Sequence, residues 1–310
     1  MKKLKVLSLF NGMNCIGMAL KSLNIEAELY CSEIDKYANQ ISSLLFPEAV
    51  NLGCVKTVKV EDIGKIDLLV AGSPCQGFSF AGKQLNFEDE RSKLFFEFIR
   101  ILEEARKLNP EVKFLLENVK MSKEHQAVIS RFCGIDPIEI NSALLSAQNR
   151  RRIYWTNIGT NKNNLFRIEQ IGIKQPADKG ILLKHILEET AAEKYFLSEK
   201  IIKSFKAHKK RHKERGNGFG WIEPKKQPTD KANCLITNYS LNQNVSYIKT
   251  DRKEILNIRQ LTPLECCRLQ TIPEEETEKI LSSGLSDSQI YKMLGNGWTV
   301  SVIAYILKHL

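Results

Sequence analysis

Four times in the first 133 residues a short apolar run gives way to a turn and then to a stretch of helical periodicity, and no other feature constrains the fold as much. The runs are Lys5–Phe10, Glu26–Cys31, Asp67–Ala71 and Lys113–Leu116, and the helical stretches are about 16–23, Asp35–Leu45, Ser92–Leu108 and Ser122–Cys133. Apolar runs of this length, set between helices, read as buried strands. Strand and helix in alternation predict a doubly wound parallel sheet with helices on both faces. Right-handed crossovers then place the loops that follow the strands on one edge, where such sheets bind ligands. The unusual residues of the chain lie in those loops.

Past residue 159 the rhythm breaks down. The stretch 160–258 is rich in Asn and Lys, with basic clusters at 206–215 and 225–226 and a turn-rich segment at 216–221. Strands are expected at Cys234–Thr237 and Ser246–Lys249. Helices are expected at Pro263–Leu269 behind a Thr262 cap, at Asp287–Leu294 and at Thr299–Leu310. We therefore expect a catalytic lobe over 1–159, completed by 286–310, and a smaller mixed lobe over 160–285. No stretch approaches the roughly 18 apolar residues a membrane span needs. The formal net charge is +10, which favours a polyanionic partner, nucleic acid before an acidic membrane. The eight cysteines form no CxxC pair, so we expect a reduced, cytoplasmic protein without a structural metal site. His208 and His212 are spaced as metal ligands on a helix could be, but Lys209, Lys210 and Arg211 between them would repel a cation. A solvated or phosphate-facing helix is the expectation there.

The turn after the first run reads Phe10-Asn11-Gly12-Met13-Asn14, a place where glycine lets backbone approach a ligand at a helix start. Glu33, followed by Ile34, ends the second run, where an acid can take ribose hydroxyls or, equally, start a helix. Asp62-Ile63 offers an acceptor for an adenine amino group beside an apolar contact. Pro74-Cys75-Gln76 holds a thiol just past a strand end, the place for a nucleophile if nearby positive charge favours the thiolate. Glu117 leaves the end of an apolar run, where a carboxyl group can act as an acid. In Gln148-Asn149-Arg150-Arg151-Arg152, alternation along a strand would turn Arg150 and Arg152 to one face and Arg151 to the other.

In this order and spacing the segments resemble the DNA (cytosine-5) methyltransferase family, in its phage-borne and bacterial stand-alone form. The resemblance covers nearly the whole chain outside 160–258. It implies an S-adenosyl-L-methionine (AdoMet) methyltransferase sheet with a smaller target-recognition domain. AdoMet would lie against Phe10, Asn11, Gly12 and Met13, with Glu33, Ile34, Asp62, Ile63, Pro74, Asn296 and Trp298 completing its pocket and no metal required. Cys75 would attack carbon 6 of cytosine, Glu117 would donate to ring N3, Arg152 would hold the ring carbonyl and Arg150 would support them. The target base must be flipped out of duplex DNA. Gln76, Ser79, Lys83 and Arg91 would face DNA on a lid spanning 77–93, and Lys209, Lys210 and Arg211 would meet phosphates. Arg259-Gln260-Leu261-Thr262-Pro263-Leu264-Glu265 and Arg268-Leu269-Gln270 match the family element that braces the small lobe. Two departures stand out: Asn14 replaces the usual loop glycine, and Gly-Asn-Gly-Trp298 replaces a Gly-Asn-Ser-Val type.

The implied partner is double-stranded DNA, with a cognate restriction endonuclease as a candidate system partner; one lobe of each kind suffices in a monomer. The same Cys, Glu and Arg set would also serve a tRNA cytosine methyltransferase. A catalytically inactive DNA-binding relative is the other alternative, although it predicts erosion at Cys75, Glu117 and Arg152. A nicotinamide-dependent dehydrogenase is excluded by the missing GxGxxG.

Overall fold

Seven strands form the sheet in the order β3-β2-β1-β4-β5-β7-β6. They are β1 (Leu4–Leu9), β2 (Ala27–Ser32), β3 (Val50–Asn51), β4 (Leu68–Gly72), β5 (Lys113–Val119), β6 (Ile138–Asn141) and β7 (Arg151–Thr156). This computed structural model describes residues 3–72, 90–161, 170–216, 220–221, 224, 230–239, 245–250 and 257–310, with side chains for all but 90–92, 161 and 170. The central strands read as apolar runs because both faces are covered: Val6, Leu7, Leu9 and Leu68–Ala71 are fully buried. Strands β1 to β5 pair in parallel, whereas β7 runs antiparallel to both β5 and β6. Strand β6 was not foreseen in the sequence. Its pattern is short and half-buried, as suits a sheet edge.

The helices follow the expected rhythm: α1 (Cys15–Ser22), α2 (Lys36–Leu45), α3 (Val60–Ile63), α4 (Glu90–Leu108) and α5 (Lys123–Cys133). Asp35 and Ser122 cap α2 and α5 rather than belonging to them, each side chain accepting backbone N–H bonds from the first turn. Phe95, Phe98, Ile101 and Leu102 of α4 pack with Phe114 and Trp155 of the sheet in one buried cluster.

Two compact units result. The first comprises Met1–Asn141, Arg151–Pro176 and Val300–Leu310; the second comprises Ser142–Arg150 and Ala177–Thr299. The division therefore falls away from residue 159, since the β8 (Thr160–Asn161) and β9 (Gln170–Ile171) pair stays with the first unit, as does the last helix of the chain.

The second unit holds α6 (Glu199–Glu214), the hairpin of β10 (Tyr247–Lys249) and β11 (Ile258–Gln260), and then α7 (Pro263–Leu269), α8 (Glu274–Leu281) and α9 (Asp287–Asn296). Returning to the first unit, α10 (Val300–Leu307) packs against α1. The expected strand at Cys234–Thr237 does not form. Its backbone groups are taken by side chains instead: Leu235 N–H donates to Gln148 Oε1, its carbonyl accepts from Arg150, and Asn233 N–H donates to Ser246 Oγ. Helix α8 was not foreseen either. Three consecutive glutamates open it, which suits a helix N-terminus but carries little apolar periodicity.

Candidate active site

The loop after β1 is wound through three left-handed residues in alternation: Phe10 (φ 54°), Gly12 (φ 58°) and Asn14 (φ 67°). Such backbone is costly away from glycine and concentrates at functional sites. Asn14 resolves its own departure from the family pattern. Asparagine tolerates this conformation, and its Oδ1 accepts from Gly17 N at 3.1 Å, capping α1. Gly17 is required for a second reason: a Cβ there would stand 2.8 Å from the Phe46 ring.

Glu33 ties this loop to the end of β2. Its Oε2 accepts from Gly12 N at 2.8 Å, and its Oε1 accepts from Ile34 N and Asp35 N, both at 2.8 Å. Three backbone donors leave roughly one further lone-pair direction on the carboxylate. Beside it Ile34 is 77% exposed, an apolar side chain held out at the sheet's ligand edge. Nothing lies within 4 Å of where a Gly12 Cβ would stand, and the buried Asn11 Oδ1 has no hydrogen-bond partner. An open loop face, an unsatisfied acceptor, an acid and an exposed apolar surface are what an adenosyl group would use. Asp62 is exposed on α3. Ile63 and Met13, expected in the same pocket, are instead buried, Ile63 within the core cluster.

Across the sheet, Glu117 in β5 lies opposite Tyr154 in β7, and Arg152 lies two residues from Tyr154. Antiparallel register therefore puts Glu117 and Arg152 on one face as diagonal neighbours. Their side chains meet, Arg152 Nε to Glu117 Oε1 at 2.9 Å, with only 14% and 10% of the two side chains exposed. Arg151 points the other way, to solvent and Glu139. The arrangement presents a carboxyl group and a guanidinium together at the C-terminal edge of β5.

Cys75, Pro74, Gln76, Ser79 and Lys83 lie outside the described residues, as does the Arg91 side chain and most of the lid expected over 77–93. Five of the seven described cysteines serve the core. Cys15, Cys31, Cys133, Cys266 and Cys267 are buried. Burial pushes the Cys31 and Cys133 thiols up to about 12 and also raises Cys266 well above the usual thiol range, which suppresses the nucleophilic thiolate.

Arg150 has other work than was expected. In the second unit its guanidinium donates to the carbonyls of Leu235 (3.0 Å), Gly295 (3.1 Å) and Gly297 (2.7 Å). Gln148 donates to Leu269 O and Gln270 Oε1; Gln270 in turn donates to Leu294 O and accepts from Thr299 Oγ1. Three motifs, the first more than a hundred residues from the other two, are thus knotted by their polar side chains. Gly295 permits the closeness, because a Cβ there would lie 2.3 Å from the Ile236 carbonyl carbon. Asn296, exposed, and Trp298, half-buried, follow it in this unit. The bracing element adds a buried bidentate pair, Arg259 to Glu265 at 2.7 and 2.8 Å, joined by a Thr262 capping box. Sequence reasoning located these residues but not their partners, which no local pattern encodes.

His208 and His212 face inward along α6 with Nε2 atoms 3.0 Å apart, beside a Phe205–Trp221–Tyr247 aromatic cluster. This is not the fully solvated pair the charge pattern suggested: the His208 Nδ1 is buried without a partner. Among the described residues no group of three His, Cys, Asp or Glu side chains is gathered to hold a metal.

A doubly wound sheet that sets a strained, acid-tied loop and a carboxyl–guanidinium pair on its ligand edge defines an α/β enzyme of the methyltransferase architecture. The same fold is found in the Entamoeba histolytica methyltransferase EhMeth, at a TM-score of 0.79 and 21% identity over 100% of this chain and 98% of that one. It is found again in the S. pombe Dnmt2 methyltransferase, at a TM-score of 0.73 and 22% identity over 98% and 97% of the two chains. Residues 4–310 match the profile of the C-5 cytosine-specific DNA methylases, and the chain belongs to that family. It is 32% identical to the type II methyltransferase M1.ScrFI of Lactococcus lactis, over 97% of this chain and 76% of that protein. With the type II methyltransferase M.NlaX of Neisseria lactamica it shares 32% over 99% and 96%. With the orphan methyltransferase M.SPRI of Bacillus phage SPR it shares 28% over 100% and 98%. The family implies AdoMet as the methyl donor. Among the described residues no helix is long and apolar enough to cross a membrane.

Proposed function

We propose that this chain methylates carbon 5 of a cytosine within a short specific sequence of duplex DNA, after flipping the base from the stack and binding it covalently. The observation that carries this reading is the Glu117–Arg152 pair, held on one sheet face at 2.9 Å. Carbon 5 of cytosine is too weak a nucleophile to take a methyl group unaided. Addition of the Cys75 thiolate to carbon 6 makes the ring enamine-like, while Glu117 gives a proton to N3 and Arg152 holds the ring carbonyl. Bound AdoMet would supply an electrophilic methyl on a sulfonium that departs as the neutral thioether. Loss of the carbon-5 proton to a base then expels Cys75 as thiolate, with the N3 proton returning to Glu117.

Glu33 and Asp62 would anchor the polar atoms of AdoMet, with Phe10, Ile34 and Pro74 supplying apolar faces. Arg150, engaged with three carbonyls of the second unit, acts as a positioning residue for the segment leading into β7. The second unit would read the target sequence and grip the duplex. Orphan phage relatives stand beside the type II ones, so the family does not oblige an endonuclease partner.

The test is transfer of labelled methyl from AdoMet to unmethylated duplex DNA, with tRNA alongside and Cys75→Ala as control. The expected result is 5-methylcytosine in DNA that the variant cannot make. Label in tRNA alone would reassign the substrate, and turnover retained by Cys75→Ala would end the covalent mechanism.

A further inference from the structure

Left-handed backbone at Phe10 (φ 54°) and Asn14 (φ 67°) persists only where surrounding groups over-determine it. Two clamps do so here, one just ahead of α2 and one within it. The first is Glu33, which takes the Gly12 N–H at the centre of the loop. Its own carbonyl accepts from Asn39 Nδ2 at 3.0 Å and from Asn51 Nδ2 at 3.4 Å, so the acid is held at both ends. The second clamp is Ser42. Its Oγ accepts from Asn11 Nδ2 at 3.3 Å and from Asn14 Nδ2 at 3.2 Å, and so grips the loop on both sides of Gly12. All three residues are buried, Ser42 at 6% and Asn14 at 0% exposure, so water competes little for these bonds. The Asn11 Oδ1 has no partner, which leaves the Ser42 bond to hold that carboxamide. Asn14 stands where the family's loop glycine is usual, and a glycine could not reach Ser42. The departure in the loop is thus matched by a hydroxyl on α2.

We propose that Ser42 is a positioning residue for AdoMet: without touching it, the hydroxyl holds the 10–14 loop in the shape that the adenosyl group binds. A loop that visits other shapes binds with an affinity reduced by the fraction of time it is competent. Removing the hydroxyl leaves two buried amide donors without an acceptor, which favours loop shapes that return them to water. Once AdoMet is bound the loop has the same shape with or without the clamp. Glu117 and Arg152 lie on β5 and β7, so the transfer step does not depend on Ser42. The inference rests on the proposed placement of AdoMet against residues 10–13, and not on the identity of the methyl acceptor.

The test titrates AdoMet into full-length wild type, Ser42→Ala, Asn14→Gly and the double variant by calorimetry without DNA, and then follows methyl transfer with each substrate varied in turn. Ser42→Ala should raise both the Kd and the KM for AdoMet about ten-fold, while kcat at saturating AdoMet and the KM for DNA stay near wild type. Asn14→Gly, which removes one partner of the hydroxyl, should also weaken AdoMet, and the double variant should fall short of the product of the two single effects. An unchanged Kd in Ser42→Ala, with circular dichroism showing it folded, overturns the proposal. So does a fall in kcat with KM for AdoMet unchanged, because the hydroxyl would then act on the chemical step. Losses that simply multiply overturn it as well, since two independent sites would be at work. Wild type that binds no AdoMet ends the cofactor placement and this proposal together. Wild type that binds AdoMet but does not methylate duplex DNA ends only the DNA reading, and the Kd comparison still decides the role of Ser42.

Discussion

Two largely buried arginine–glutamate pairs stand in two different settings. In the first unit, Arg152 and Glu117 sit diagonally across an antiparallel ladder, each still reaching solvent. In the second, Arg259 and Glu265 are 4% and 0% exposed, joined in a bidentate clasp whose carboxylate also accepts from Thr262 N and Glu188 N. The buried pair has its acceptors and donors committed to the protein. The sheet pair lies at the C-terminal end of β5 with a small part of each side chain exposed. The same two residue types thus form a brace where their surroundings enclose them, and in the proposed mechanism supply the chemical groups where they lie at the sheet edge.

Disabling one member of each pair should separate these roles. The largest effect is expected for Glu117→Gln, which keeps a polar group beside Arg152 but removes the transferable proton; kcat should fall by about a hundred- to ten-thousand-fold. Its urea midpoint should stay near that of wild type. If activity survives, Glu117 is a structural acid and the contrast fails. Glu265→Ala should do the reverse, leaving Arg259 charged and buried at a cost of about 3–5 kcal/mol in the stability of the second unit, read by urea unfolding. Replacing the pair together, as Arg259→Met/Glu265→Leu, should recover much of that loss.

Gly295→Ala forces a Cβ against the Ile236 backbone. We expect about 1–3 kcal/mol of destabilisation, seen as a lowered Tm, because backbone cannot move aside as a side-chain tip can. The smallest effect belongs to His208, whose pKa is lowered from 6.5 by desolvation, then by His212 and Arg211. A depressed histidine favours the neutral form in the fold, so stability is full above pH 6.5 and falls as pH drops through the folded value. His208→Gln should flatten that slope in thermal melts between pH 7 and 5; an unchanged slope would place the titrating group elsewhere.

Much of the first unit was legible in the sequence. Apolar runs announced β1, β2, β4 and β5; in the second unit Thr262 announced the cap that opens α7, where the structure adds Glu265 to complete a capping box. The reading of Arg150 and Arg152 was half right in an instructive way. Alternation does separate both from the exposed Arg151, but β7 begins at Arg151, so the two guanidiniums go to different partners. The segment Cys234–Thr237 had the composition of a strand, and distant side chains claimed its backbone. His208 and His212 looked solvated because lysines flank them, yet helical phase turns them inward beside Phe205.

By itself, the sequence determined the alternation of strand and helix, the caps, the acids Glu33 and Glu117 at the ends of apolar runs, and membership of the family. Those features are local: they follow from hydrophobic period, turn chemistry and motif order within a dozen or so residues. Only tertiary structure decided that Glu117 meets Arg152, that Gln148, Arg150 and Gln270 converge on the end of α9, and that Ser42 reaches both Asn11 and Asn14. Those meetings join residues 24 to 147 positions apart, and chain folding rather than local pattern sets which side chains come together.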